Sequence, residues 1–384
     1  MKKVIIVTIV VLLCCRMDAQ TLTGVVYDKA TQQPIPNVHV YLDGTSIFDI
    51  TGDAGEFELT VNKILNTKLV LQHVSYQTVI IGNPFEEHLP DKFYMEERLN
   101  TLNEVTIQAD RFTREQKLKA FREQFLGMTQ AGKSCKIMNE NDIQIWFNVQ
   151  TKTLLASSDQ PVVVINEYLG YQILFTLVDF WVQYPIVTLD RNYIRQSYYA
   201  VTTSYTDINP DNRRIKRRRD GIYEESSTFF FKNLTNHTLR EVGFSFYKNG
   251  FPADYNLYFS TEDFLSYKKL QLINTLPTEV NIMKSLNGEP MVINYIDNNF
   301  VDEDGNIVTD PTLLNICNQM LDNTIQKNRQ FSVMYRRKQS DIHFYTDTLL
   351  VDQYGNIDQI DKVMFSGLMG QNRAGDMLPL DYEP

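Results

Sequence analysis

Between Thr21 and Arg98 short apolar runs alternate with turn residues, and this rhythm constrains the fold more than any other feature of the chain. Val25-Val26-Tyr27, Val38-His39-Val40-Tyr41-Leu42, Phe57-Glu58-Leu59-Thr60-Val61, Lys68-Leu69-Val70-Leu71 and Thr78-Val79-Ile80-Ile81 read as strand cores. Asp28-Lys29, Pro34-Ile35-Pro36-Asn37, Asp43-Gly44 and Gly52-Asp53-Ala54-Gly55 break them. Runs this short hold no helical stripe, whereas alternation places successive side chains on opposite faces of a sheet. About seven such strands in one small segment predict a β-sandwich.

These residues carry a resemblance. Thr23-Gly24-Val25-Val26-Tyr27-Asp28, Pro34-Ile35-Pro36-Asn37-Val38, Gly44-Thr45, Thr51-Gly52-Asp53-Ala54-Gly55-Glu56-Phe57 and Val74-Ser75-Tyr76 resemble the carboxypeptidase-like regulatory domain. The resemblance implies a transthyretin-like β-sandwich of exported proteins in Bacteroidetes-type bacteria. Leu102-Asn103-Glu104-Val105-Thr106-Ile107 is similar to the strand that follows this domain in many such proteins, TonB-dependent receptors among them. From about Gln116 onward the chain resembles the longer exported proteins that carry the domain. Ser134-Cys135-Lys136-Ile137-Met138-Asn139-Glu140, Asn166-Glu167-Tyr168-Leu169-Gly170-Tyr171 and the closing Asp376-Met377-Leu378-Pro379-Leu380-Asp381-Tyr382 are the telling stretches. That likeness implies an architectural role with no assigned reaction.

Beyond the sandwich the periodicity changes. Thr113 with Gln116 forms a capping box, Leu118, Phe121, Phe125 and Leu126 line one helical face, and Gly127 suits the C-terminal cap. This helix is expected to bridge two domains. Ile143–Val149, Leu154–Ala156, Val162–Ile165, Leu169–Val178 and Ile186–Leu189 then read as strands. In the longest, Leu169, Tyr171, Ile173, Phe175 and Leu177 fill one face and Gln172 and Thr176 the other. Two more helices are predicted. One spans Tyr223–Leu234, and the other starts at Asp310-Pro311 with Leu313, Cys317, Met320, Leu321 and Ile325 inward. The repeated D-x-x-G-N-I at Asp302 and Asp352 predicts two turns.

The first residues have the layout of a secretory leader: Lys2 and Lys3, an apolar run from Val4 to Cys15, then Ala19 before Gln20. The run is 12 residues long, short of the ~20 a membrane-spanning helix needs. Cleavage after Ala19 is expected, with lipidation at Cys14 or Cys15 as the second reading. It leaves Lys+Arg 34 against Asp+Glu 46, a net charge of −12. That sign disfavours nucleic acid as a partner. Cys135 and Cys317 remain. A disulfide between them is open, and a buried free thiol suits Cys317 on its helical stripe.

Chemistry-bearing motifs are few. Gly127-Met128-Thr129-Gln130-Ala131-Gly132-Lys133-Ser134 matches G-x-x-x-x-G-K-[ST], but a helix leads in and a strand leads out, the wrong context for a phosphate loop. His39, His73, His88, His237 and His343 are scattered and form no zinc-peptidase pattern. No G-x-S-x-G occurs. Asp302 and Asp304 precede Gly305 as in a calcium loop, yet Phe300 and Pro311 occupy ligand positions, which favours a plain turn. Neither a cofactor nor a nucleotide is expected.

One cluster stands out. Arg213, Arg214, Lys216, Arg217, Arg218 and Arg219 place six cations in seven residues of an acidic chain. They suit docking to an anionic surface, such as lipid headgroups or an acidic partner. They better suit a solvated approach to a helix, paired with Asp211, Asp220, Glu224 or Glu225, because charge runs usually serve solubility. The aromatic load, Tyr 21, Phe 22 and Trp 2, could mark a sugar-binding cleft, but most of these residues sit at strand or helix periods, which makes core packing the default.

The expected architecture is mainly β with α+β. A leader at 1–19 precedes a seven-stranded transthyretin-like β-sandwich at 20–100. A linker strand and bridging helix at 101–127 then lead to a larger, strand-rich antiparallel α+β domain at 128–384. The expected function is non-catalytic binding or assembly in the periplasm or at the outer membrane, with an envelope protein or anionic surface component as partner. After leader cleavage no transmembrane helix is expected. Competing readings are an outer-membrane β-barrel or receptor-associated component, and a hydrolase built on converging carboxylates such as Glu167, Asp179 and Asp190.

Overall fold

The computed structural model describes residues 20–86, 89–98, 111–276, 279–282 and 291–384. The expected leader with Cys14 and Cys15, and the strand expected at Leu102–Ile107, lie outside the described residues. Contacts divide the chain into two compact units, one running to Glu224 and regaining Asn372–Pro384, the other Glu225–Gln371.

The N-terminal part of the first unit is the sandwich. Its strands are β1 (Gln20–Asp28), β2 (His39–Leu42), β3 (Phe48–Ile50), β4 (Glu56–Val61), β5 (Leu69–Gln72), β6 (Val79–Ile81) and β7 (Lys92–Met95). They form a three-stranded sheet, β4-β1-β7, and a four-stranded sheet, β3-β2-β5-β6. Phe57, Leu59 and Val61 point inward along β4 while Glu56, Glu58 and Thr60 point out, the alternation read from the sequence. Gly55 has φ +73°, and a Cβ there would lie 2.6 Å from the Val26 carbonyl oxygen, so the turn before β4 requires glycine. Thr51 fastens the proline loop: its hydroxyl donates to the Ile35 carbonyl at 2.8 Å and accepts from the Val38 N–H at 2.9 Å.

The sandwich rests on a second sheet. Helices α1 (Arg114–Phe125) and α2 (Gln130–Lys133) lead into β8 (Cys135–Ile137), β9 (Ile143–Asn148), β10 (Thr153–Ser158), β11 (Val162–Asn166), β12 (Tyr171–Gln183) and β13 (Gln196–Asp207). The order is β8-β11-β12-β10-β9, with β13 along the other edge of β12. The capping box at Thr113 and Gln116 forms as expected, and Gly127 follows the helix at φ +90°. α1 is not a free-standing bridge. Phe121 packs on Phe180 at 4.7 Å and Phe125 on Phe175 at 5.1 Å, which makes the helix part of this sheet's core. The opposite face meets the sandwich: the Tyr41 and Thr202 hydroxyls lie 2.8 Å apart, and the Gln72 amide donates to Thr176 at 2.6 Å. β5 is therefore buried on both faces and reads as a continuous apolar run.

Two expectations change here. Ile186–Leu189 forms no strand. It follows Pro185 as irregular chain, and the edge partner of β12 is instead the twelve-residue β13. The helix expected over Tyr223–Leu234 is two helices, α3 (Arg213–Glu224) and α4 (Ser227–Thr235). Ser226 separates them, because its hydroxyl accepts from the Phe229 N–H and starts a new helix.

In the second unit α4 is followed by β14 (Phe244–Lys248), β15 (Phe251–Pro252), β16 (Phe259–Phe264), β17 (Tyr267–Leu272), β18 (Glu279–Ile282), β19 (Met291–Ile296) and β20 (Asn299–Val301). Then come α5 (Pro311–Asn328), β21 (Gln330–Tyr335), β22 (Lys338–Phe344), β23 (Thr348–Val351), β24 (Val363–Ser366) and α6 (Gly367–Gly370). The sheets are β15-β14-β21-β22-β24, β16-β17-β23 and β18-β19-β20. Phe230, Phe231, Phe246, Phe331 and Phe344 build its main core. Asp310 caps α5 through the Leu313 N–H at 2.8 Å, and Cys317 is buried on its inward stripe. Both D-x-x-G-N-I segments are turns. Asp302 accepts from the N–H groups of Asp304 and Asn306, and Asp352 from those of Tyr354, Gly355 and Asn356.

The chain is thus strand-rich α+β with mostly antiparallel open sheets, and among the described residues no sheet closes into a barrel. No helix of the described residues is long and apolar enough to cross a membrane.

Candidate functional site

The basic run is itself a helix. Asn212 caps it by accepting from the Arg214 and Ile215 N–H groups at 3.0 and 3.3 Å. Ile215, Arg219 and Tyr223 recur every fourth residue and form the buried stripe of α3. Ile215 packs against the turn at Gly170, where a Cβ would lie only 3.0 Å from its Cδ1.

Arg219 is 5% exposed. Its guanidinium grips the Asp207 carboxylate with two bonds of 2.6 and 2.8 Å, and donates to the carbonyls of Leu169 at 2.7 Å and Gly170 at 3.1 Å. The Tyr171 ring lies 3.9 Å below it. Burial alone would pull the Arg219 pKa down, and the Asp207 carboxylate reverses this and holds it raised. Arg218 donates to the Tyr168 carbonyl at 3.1 Å and covers that ring at 4.2 Å. Arg219 is therefore corrected from a docking cation to a structural one, and Arg218 is half committed. Nothing within the basic run signals this, because Asp207 lies outside it.

What remains outward is Arg213, Arg214, Lys216 and Arg217, all exposed. Lys216 has a loose partner in Asp220 at 3.8 Å, worth little at a solvated surface. Among the described residues the other three have no ion-pair partner. Arg213 and Arg214 also occupy the first turn, where the helix dipole is positive and cations are disfavoured. Pairing for solubility does not explain that position, whereas an anion docked there gains from both cations and dipole.

The closing segment passes close by. Tyr382 donates to Asp220 at 2.6 Å, Ser46 donates through N–H and hydroxyl to Asp381, and the Leu380 N–H reaches the Gly44 carbonyl at 2.7 Å. One short strap thus ties α3 to the sandwich.

The other sequence candidates separate. The phosphate-loop match holds the four-residue α2, whose Gly132 N–H is already taken by the Thr129 hydroxyl, and Thr129 in turn donates to Asp376 at 2.6 Å. Cys135 and Cys317 are free thiols. Burial pushes the Cys135 thiol up to about 12, far from a reactive thiolate. Glu167 pairs with Lys136, Asp179 sits at the bulge of β12 and Asp190 caps a single turn, so they do not converge. Among the described residues no group of three or more His, Cys, Asp or Glu is placed to hold a metal. The displaced pKa values fall elsewhere. Burial between sandwich and sheet raises Asp43 to about 6 and lowers His39 to about 4.

Residues 22–107 match the family model of the CarboxypepD_reg-like domain. The chain therefore carries such a domain, which takes in the whole sandwich from Leu22 and the expected strand at Leu102–Ile107. No curated protein matches the chain.

Proposed function

We propose that this is a non-catalytic binding or assembly protein of the cell envelope, exported by its leader, which docks through α3 onto an anionic surface component. The observation that carries the reading is the division of labour within α3. Arg219 and Arg218 fasten the helix inward, and Arg213, Arg214, Lys216 and Arg217 face out from an otherwise acidic chain. The non-catalytic part draws support from Glu167, Asp179 and Asp190, which stand apart from one another, and Asp43 and His39 are placed among packing contacts. Asp43 accepts from the Thr203 backbone N–H at 2.7 Å, and His39 stacks on Tyr41 at 4.8 Å.

Fractionation of the source cells tests it. The protein is expected in the envelope fraction, released by high salt. Replacing Arg213, Arg214, Lys216 and Arg217 with glutamine moves it to the soluble periplasmic fraction. A cytosolic protein with an intact leader, or unchanged envelope association of the variant, contradicts the proposal.

A further inference from the structure

Both tryptophans of the chain stand in one row across the sheet that carries the sandwich. Trp146 on β9 pairs with Leu155 on β10, Leu155 with Trp181 on β12, and Trp181 with Tyr198 on β13. Directly opposed residues of antiparallel strands share a face, so these four side chains lie side by side. Their chain neighbours Ile145, Phe147, Leu154, Phe180 and Val182 are buried on the core side. Trp146, Leu155 and Trp181 are partly buried, and Tyr198 is 47% exposed. The rings of Trp181 and Tyr198 are near-parallel, 28° between planes and 5.7 Å between centroids. Three strand spacings separate Trp146 from Tyr198, roughly 14 Å, the span of a short oligosaccharide.

The rows beside it are mostly polar and carry a single formal charge. On one side the register places Asn148, Thr153, Gln183 and Gln196 in line. The side-chain amides of Gln183 and Gln196 make no hydrogen bond to the described residues. On the other side stand Gln144 and Ser157, and then Asp179 opposite Ala200. Asp179 is the one formal charge among these three rows, in a chain of net charge −10.

We infer that this row is a binding platform for a neutral glycan chain. A pyranose ring has an apolar C–H face and a rim of hydroxyls. The C–H face suits the electron-rich faces of indole and phenol rings, and the rim suits amides and hydroxyls that both donate and accept. Asp179 adds an acceptor for adjacent hydroxyls. The absence of cations in the rows disfavours an acidic polymer, and the amide rows disfavour an apolar protein face. The platform is also continuous with the contact between sandwich and sheet. Gln144 donates to Asp159 at 3.3 Å, and Asp159 lines a cavity of about 500 Å³ together with Asp142 and the sandwich residues Ser75, Glu97 and Arg98. This inference does not rest on the docking role of α3.

Because the chain has only Trp146 and Trp181, its tryptophan emission reports on the platform alone. The full protein is titrated with cellohexaose, laminarihexaose, xylohexaose and maltohexaose, followed by emission and by calorimetry. At least one is expected to give a saturable emission change that survives high salt. Trp181→Ala is expected to weaken binding about tenfold or more. The paired Gln183→Ala and Gln196→Ala substitutions, which leave the aromatic row intact, weaken it without altering the circular dichroism. No binding to any of the four, binding unchanged in both variants, or an emission change that follows protein concentration instead of sugar overturns the proposal.

Discussion

Arg219 and Asp207 meet in a two-bond fork, Nη1 to Oδ2 at 2.6 Å and Nη2 to Oδ1 at 2.8 Å, which fixes α3 to the end of β13. Four of the guanidinium's five donors are engaged once the Leu169 and Gly170 carbonyls are included. Arg219→Ala leaves those acceptors and the Asp207 charge without their partner, and is expected to destabilise the fold by about 3 kcal/mol. Arg217→Ala removes only an exposed charge and should stay within about 0.5 kcal/mol. Denaturant midpoints of the two variants check the contrast.

Asp43 and His39 predict opposed pH dependences. The folded state raises Asp43 from 3.8 to about 6 through burial, so its contribution is full below pH ~4 and is lost as pH rises through 6. Burial lowers His39 from 6.5 to about 4, so its contribution is present above pH ~6.5 and is lost as pH falls toward 4. The two oppose each other between pH 4 and 6, and each substitution should unmask the other group. Asp43→Asn is expected to raise the melting temperature at pH 7.5 by a few degrees and to make the protein more acid-sensitive. Melting curves from pH 4 to 8 check it.

The closing strap predicts a local effect. A Cβ on Gly44 would lie 2.8 Å from the Leu380 side chain, and the φ of +77° already disfavours other residues. Gly44→Ala and truncation after Asp376 should both speed amide exchange at Tyr205, whose N–H donates to the Thr45 carbonyl at 2.9 Å in the bridge beside this turn. Exchange measured across β9, far from the strap, should not change.

The phosphate-loop match predicts nothing for nucleotides. The Gly132 N–H is taken by the Thr129 hydroxyl, and those of Lys133 and Ser134 by the carbonyls of Thr129 and Gln130, so none of these three is free to hold a phosphate. Magnesium-ATP titrated against the protein should give no heat of binding, and Lys133→Ala should make no difference.

The sandwich was legible because each of its cues is local. Gly55 sets the turn directly before β4, and the alternation along β4 runs from one residue to the next. The capping box at Thr113 and the aspartate cap of α5 were legible for the same reason. β13 escaped because Tyr198-Tyr199-Ala200-Val201-Thr202-Thr203 mixes residues suited to either face, and its strand character comes from pairing with β12 along its length. The split of the basic run was equally invisible. Nothing near Arg219 distinguishes it from Arg217. Only helical phase places one on the buried stripe beside Ile215, and only the tertiary fold supplies Asp207.

The outward cations of α3 are proposed to dock an anionic surface, and cosedimentation with lipid vesicles measures that docking. Phosphatidylglycerol vesicles should retain the protein at low salt and release it as salt rises, while neutral phosphatidylcholine vesicles should not retain it. Each of Arg213, Arg214, Lys216 and Arg217 should contribute roughly 1 kcal/mol, so the fourfold glutamine variant should lose nearly all binding. Equal retention on both vesicle types, or retention that survives removal of the four charges, would contradict the account.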